Sequence, residues 1–191
     1  MADVPPPPTL PSLEGWVRVD ESTDRPFELG FIHVLARTVI YEDATIRERI
    51  PAIADEPWRF LFATRLEVRP RTPPSKALTR LVVSGAASGF EDRLAERGFS
   101  DVHRSWTRTL AVRDGEADVI RYDTTVTLAG VRLAADAYLA VTPTDGEYLL
   151  LGGAYPREVV DGDGEIADAL HDAIDPERFR EELFRVIRRM E

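Results

Sequence analysis

The chain has no cysteine, which excludes within these 191 residues any disulfide, thiolate metal site, cysteine nucleophile or lipid-bearing cysteine. Histidine is scarce: His33, His103 and His171 fall in separate segments, and no HxH or HExxH spacing joins them into a zinc or catalytic site. No run approaches the ~18 apolar residues of a membrane span, and the N-terminus lacks the basic and apolar regions of a secretory signal, so a cytoplasmic protein away from membranes is expected. Neither Ser84, which follows Val83, nor Ser88, which follows Ala87, sits in a GxSxG elbow, so a serine hydrolase is unsupported. Positive charge is also in deficit. With 24 basic against 34 acidic residues the net charge is -10, which repels phosphate backbones at long range and excludes nucleic acid as an expected partner.

What is present suffices for one globular core. Hydrophobic residues make up 43% of the chain, close to the globular norm, and the length fits a single domain. Residues 1–13 contain Pro5 to Pro8 and Pro11, a run that favours extended polyproline geometry and reads as a flexible, solvated tail ahead of a domain at 14–191. Trp16 to Val19 and the apolar stretch Phe27 to Tyr41, interrupted by Gly30, read as strands. Asp43 reads as the N-cap of a helix of about two turns carrying Ile46, Ile50 and Ile53 and limited by Pro51. Trp58 to Val68 reads as a further strand ending at Pro70.

A helix is expected from Ser75, its cap, to Arg97, with Leu78, Leu81, Val82, Gly85, Phe90 and Leu94 near one face. Gly85 and Gly89 weaken its middle and suggest a break near Ser84 to Gly89, while Gly98-Phe99 has the form of a glycine stop. Between Arg104 and Tyr155 the pairs Asp114-Gly115, Ala129-Gly130 and Asp145-Gly146 mark three turns, giving an antiparallel meander of four strands. Its apolar rows, such as Leu133, Ala135, Ala137, Leu139 and Val141, need a cover on one face. Two C-terminal helices are expected to supply it: one with Ile166, Leu170, Ala173 and Ile174, the other capped by Asp175, opened by Pro176 and burying Phe179, Leu183, Val186 and Ile187. The fold class is therefore α+β.

Few residues here suggest chemistry. Asp161, Asp163, Glu165 and Asp172 partly match a calcium loop, but Ile166 stands where the loop turn needs glycine, so the segment reads as an acidic turn at a helix start. Gly152-Gly153 lacks the lysine and Ser/Thr of a phosphate loop and reads as a point of close backbone packing. Glu42, Asp43, Asp123 and Asp136 face Arg65, Arg108, Arg121 and Arg132 as candidate cross-strand ladders. Trp106, Tyr122, Tyr138 and Gly152 are the candidate ligand-binding residues of a pocket between the sheet and the Ser75–Arg97 helix. No metal and no cofactor is implied.

Two resemblances extend this reading. Lys76 is the single lysine against 34 carboxylates, a balance that resembles proteins of salt-adapted archaea, and a GC-rich genome also depletes lysine. At 1 M salt the Debye length falls to roughly 3 Å, so stability is expected to rise with salt. From Trp16 to Glu191 the element order, with the strand ending Tyr148-Leu149-Leu150-Leu151-Gly152-Gly153, resembles the PsbP-like α/β/α sandwich, and with the composition it resembles families confined to salt-loving archaea. The PsbP-like resemblance implies an accessory role, so the expected function is a non-catalytic module that binds a protein partner or assists an assembly. The alternative is a small-molecule binder or enzyme using the pocket beside the long helix. Oligomeric state is not encoded in any of these patterns.

Overall fold

The computed structural model describes residues 4–26, 28–29, 32–56, 58–113 and 115–189. Along the chain run β1 (Trp16–Asp24), β2 (Glu28–Leu29), β3 (Ile32–Asp43), α1 (Thr45–Arg49), β4 (Phe60–Arg69), α2 (Lys76–Glu96), β5 (Phe99–Val112), β6 (Gly115–Leu128), β7 (Val131–Pro143), β8 (Glu147–Asp161), α3 (Glu165–Ala173) and α4 (Pro176–Arg189). The strands form one antiparallel sheet in the order β1-β3-β4-β8-β7-β6-β5, with β2 paired to β3. After β4 the chain crosses through α2 to the far edge, and the meander brings it back until β8 pairs with β4. The α+β class and the antiparallel meander stand.

The turns explain the meander's register. Ala129 and Gly130 both hold positive φ, 47° and 84°, the conformation a two-residue hairpin turn needs to match strand twist. Leu128 therefore pairs with Val131, and the ladder runs on to Asp118 with Val141. Gly146, at φ 79°, turns β7 into β8. Asp114, Phe27, Gly30 and Phe31, which figured in the turn and strand readings, lie outside the described residues.

Register also assigns the faces. Phe62, Gly152, Leu139 and Ile120 are successive cross-strand partners and share one face with Tyr122. Helix α2 covers it, with the Phe90 ring 5.4 Å from Phe62 and 5.5 Å from Tyr122. Tyr138 and Tyr155 point the other way, where Phe184 and Phe179 of α4 meet them at 5.1 and 6.0 Å. The C-terminal helices thus cover one face as expected, and α2 covers the other, so both faces carry helices. The physical reason is that β7 is buried without a break from Leu133 to Thr142, so it has an apolar side toward each layer. Phe179, Leu183, Val186 and Ile187 are buried as expected, contributing roughly 6 to 12 kcal/mol of gross hydrophobic free energy.

Several local readings change. Residues 4–13 are not a free tail: Pro5 and Pro8 are buried, Leu10 and Leu13 pack on the core, and the Pro5 carbonyl accepts a hydrogen bond from Arg37 at 3.1 Å. The first strand runs past Val19 to Asp24 through a bulge between Arg18 and Asp20. Helix α1 has only five residues, and Asp43 ends β3 rather than standing at the N-cap, although its Oδ1 accepts from the Thr45 N–H and hydroxyl. Helix α2 is continuous through Gly85 and Gly89, because Val82, Ala87, Phe90 and Leu94 anchor it on both sides of the glycines. Leu81, expected on its buried face, is 43% exposed. Ser75 caps α2 through Leu78 N, Gly98 takes φ 85° behind it, and Asp175 caps α4 through Arg178 N.

Candidate functional site

Beside α2 lies the first groove. Where the helix passes β3 and β4 it presents small residues, Gly85, Ser88 and Gly89 among them, and the space left is a cavity of about 600 Å³. Its floor is apolar, built from Ala36, Phe62, Leu66 and Leu150, with one polar feature. Thr38 and Thr64 are cross-strand partners whose buried hydroxyls lie 2.8 Å apart. One hydroxyl donates to the other, which leaves a single proton of the pair for a further acceptor. Arg93, half-buried, stands on the wall 5.7 Å from the Phe62 ring, with Asp24 and Asp92 beside the groove. No other ionisable side chain among the described residues lines it.

The second groove, about 830 Å³, lies on the opposite face between α4 and strands β5 to β8. Its floor holds a four-membered ion network: Arg121 and Arg157 each reach both Asp123 and Asp136 at 3.0 to 3.2 Å. Burial alone would raise the Asp123 carboxyl. The hydrogen bond from Ser105 and the guanidiniums of Arg121 and Arg157 outweigh it and hold the group below the usual carboxylate range. Burial pushes the Tyr138 and Tyr155 phenols up, and for Tyr155 the neighbouring Tyr138 and Asp136 add to the rise.

A third cluster is structural. Arg59, only 4% exposed, donates to Asp43 at 2.9 Å and to Glu182 at 2.7 Å, and its guanidinium lies 3.8 Å from the Phe179 ring centroid and 4.9 Å from that of Trp16. It ties β1, β3, β4 and α4 together at one end of the sheet.

The four candidate pocket residues are divided by the sheet. Trp106 and Tyr138 line the second groove, away from α2. Tyr122 lies on the α2 face, fully buried beneath Phe90, and burial pushes its phenol up to about 12, with Arg104 opposing and Glu91 adding to the shift. Gly152 shares that face as a packing point: a Cβ there would sit 2.5 Å from the Phe62 ring and 2.7 Å from the Tyr138 carbonyl oxygen. Neither Tyr122 nor Gly152 is among the residues lining the first groove. The groove on this face is lined instead by residues that include Gly85, Ser88 and Gly89, small residues whose spacing on one helix is legible in the sequence.

The charged ladders formed with altered partners. Arg121 meets Asp123 and Asp136, but Arg65 meets Glu147, Arg132 meets Asp101, Arg108 stacks on Trp106, and Glu42 receives Arg47 and Arg97. Asp161 ends β8, Asp163 lies between the two elements and Glu165 opens α3, whose N-cap is Gly164. Among the described residues no group of three or more His, Asp or Glu side chains is placed to hold a metal ion, and no helix is long and apolar enough to cross a membrane.

The fold and grooves define an α+β protein whose antiparallel sheet carries a ligand-sized cleft on each face. A family model described as a domain of unknown function, DUF6517, matches residues 3–191, and the chain belongs to that family. No curated protein and no solved structure matches it.

Proposed function

We propose that this protein is a non-catalytic binding module whose ligand is an apolar small molecule with one hydrogen-bond acceptor, held between α2 and strands β3 and β4. The observation that carries the reading is the apolar groove of about 600 Å³, inside the size range of small-molecule sites, with the spare Thr38–Thr64 hydroxyl proton at its floor. Its described ionisable lining is limited to Asp24, Asp92 and Arg93, which offers no nucleophile and base in hydrogen-bonded sequence. Assembly with a protein partner through the sheet edges has weaker support, because β1 and β5 both carry bulges that interrupt edge pairing. The proposal includes a PsbP-like sandwich, supported by α2 and α4 on opposite faces, and the cytoplasm of a salt-adapted archaeon, supported by the -10 charge and the single lysine.

The test is fluorescence titration with Nile red, a neutral apolar dye bearing a carbonyl. Wild-type protein is expected to bind it saturably. Gly89→Leu, whose Cβ meets nothing within 4 Å and whose side chain extends into the groove, is expected to abolish binding while melting as wild type does. Saturable binding unchanged in Gly89→Leu, or none in the wild type, would overturn the reading.

A further inference from the structure

The second groove has a charge pattern at odds with the chain around it. In a molecule of net charge -10, five of its lining residues are arginines: Arg108, Arg121, Arg157, Arg180 and Arg188. Two of them are spent on Asp123 and Asp136, and that network is neutral as a unit. Arg108, Arg180 and Arg188 differ. Among the described residues none of the three has a carboxylate within 4.0 Å, although Glu177 and Glu181 stand on the same groove. They come from two elements, β5 and α4, that both line the groove. Arg180 bears on the floor, since its charge acts on both Tyr138 and Tyr155.

These cations are mixed with half-buried rings. Trp106 meets Tyr138 edge-on at 5.9 Å, and Phe184 meets the same tyrosine at 5.1 Å. The Arg108 guanidinium lies 4.8 Å from the Trp106 ring centroid and that of Arg188 lies 5.9 Å from Phe184. A guanidinium stacked on an aromatic face keeps its planar edge of N–H donors directed outward, where it can take an oxyanion in two parallel hydrogen bonds. The volume, about 830 Å³, exceeds what an inorganic anion needs and accommodates a fused ring.

We infer that this groove binds a small aromatic molecule bearing a phosphate or similar multivalent oxyanion. The ring lies against Trp106 and Phe184, and the oxyanion is held by Arg108 and Arg180, with Arg188 at the outer end. Glu177 and Glu181 on the rim disfavour long polyanions, so the ligand is a single small molecule rather than a nucleic-acid backbone.

The experiment is calorimetric titration of the full chain with naphthyl phosphate at about 0.15 M potassium chloride, where exposed arginines are not fully screened, with naphthol and inorganic phosphate as partial ligands. Saturable binding is expected for naphthyl phosphate and weaker binding for each partial ligand. The double variant R108Q/R180Q changes two exposed side chains, is expected to melt as the wild type does, and should weaken binding by at least about tenfold. Gly89→Leu, on the other face, should leave it unchanged, so loss of Nile red binding and loss of naphthyl phosphate binding report on separate sites. Absence of saturable binding, equal affinity in R108Q/R180Q, or inorganic phosphate binding as tightly as naphthyl phosphate would each overturn the inference.

Discussion

Replacing Arg59 by methionine tests the tie at the end of the sheet. Methionine keeps most of the apolar stem against Phe179 and Trp16 but removes the guanidinium, leaving the carboxylate of Asp43, 7% exposed, without its cation. Removing one partner of a buried pair costs about 3 to 5 kcal/mol, because the remaining charge is stranded in low dielectric. The hydrogen bonds from Thr45 to Asp43 persist, and Glu182, which is partly exposed, can turn to water, so about 3 kcal/mol is the expected loss for Arg59→Met. Asp43→Asn keeps the shape and removes the charge. In the double variant no stranded carboxylate remains, and the combined loss should fall short of the sum of the two by about 2 kcal/mol. Urea unfolding at neutral pH in concentrated potassium chloride, followed by circular dichroism, measures all four proteins. Salt at that level screens exposed pairs and leaves a buried pair nearly intact. A loss below about 1 kcal/mol in Arg59→Met, or strict additivity in the cycle, would refute the assignment of Arg59 as a buried structural cation.

Gly152→Ala should cost about 1 to 3 kcal/mol, since the new methyl meets the Phe62 ring and the Tyr138 backbone carbonyl and only the ring can move; unchanged urea unfolding would show that the two strands have room there. Alkaline pH should also destabilise the fold. Tyr122 is raised from the ordinary 10 to about 12, so its contribution is complete below pH 10 and disappears as pH rises through 12. A shift of this size corresponds to about 2 to 3 kcal/mol, and Tyr122→Phe should flatten the decline between those limits by that amount; an unaltered slope would count against burial as the cause.

Much of the strand plan was legible because its signals are local. Asp145-Gly146 and Ala129-Gly130 supply the backbone that tight turns require, and the strands between them alternate or stay apolar. Helix α2 with its Ser75 cap and Gly98 stop was equally local. The candidate pocket failed for a reason of register. A two-residue turn pairs even positions of β6 with odd positions of β7, so Tyr122 faces Ala137 while Tyr138 faces Arg121, and the two tyrosines lie on opposite sides. That consequence could have been drawn from the turn. The α4 residues of the second groove could likewise have been grouped, since Arg180, Phe184 and Arg188 recur at steps of four along one stripe beside the buried Leu183 and Ile187.

By itself the sequence determined the α+β class, the meander, the caps of α2 and α4, the acidic balance and the exclusion of thiol chemistry, all of which depend on residue type and near neighbours. Only the tertiary structure decided which helix covers which face, that residues 4–13 pack on the domain, and that Arg59 reaches Glu182, 123 residues away. Those outcomes rest on long-range pairing, above all of β8 with β4, which joins segments that no local pattern relates. Both grooves are products of that pairing, since each exists only where helices of fixed length leave part of a doubly covered sheet unfilled.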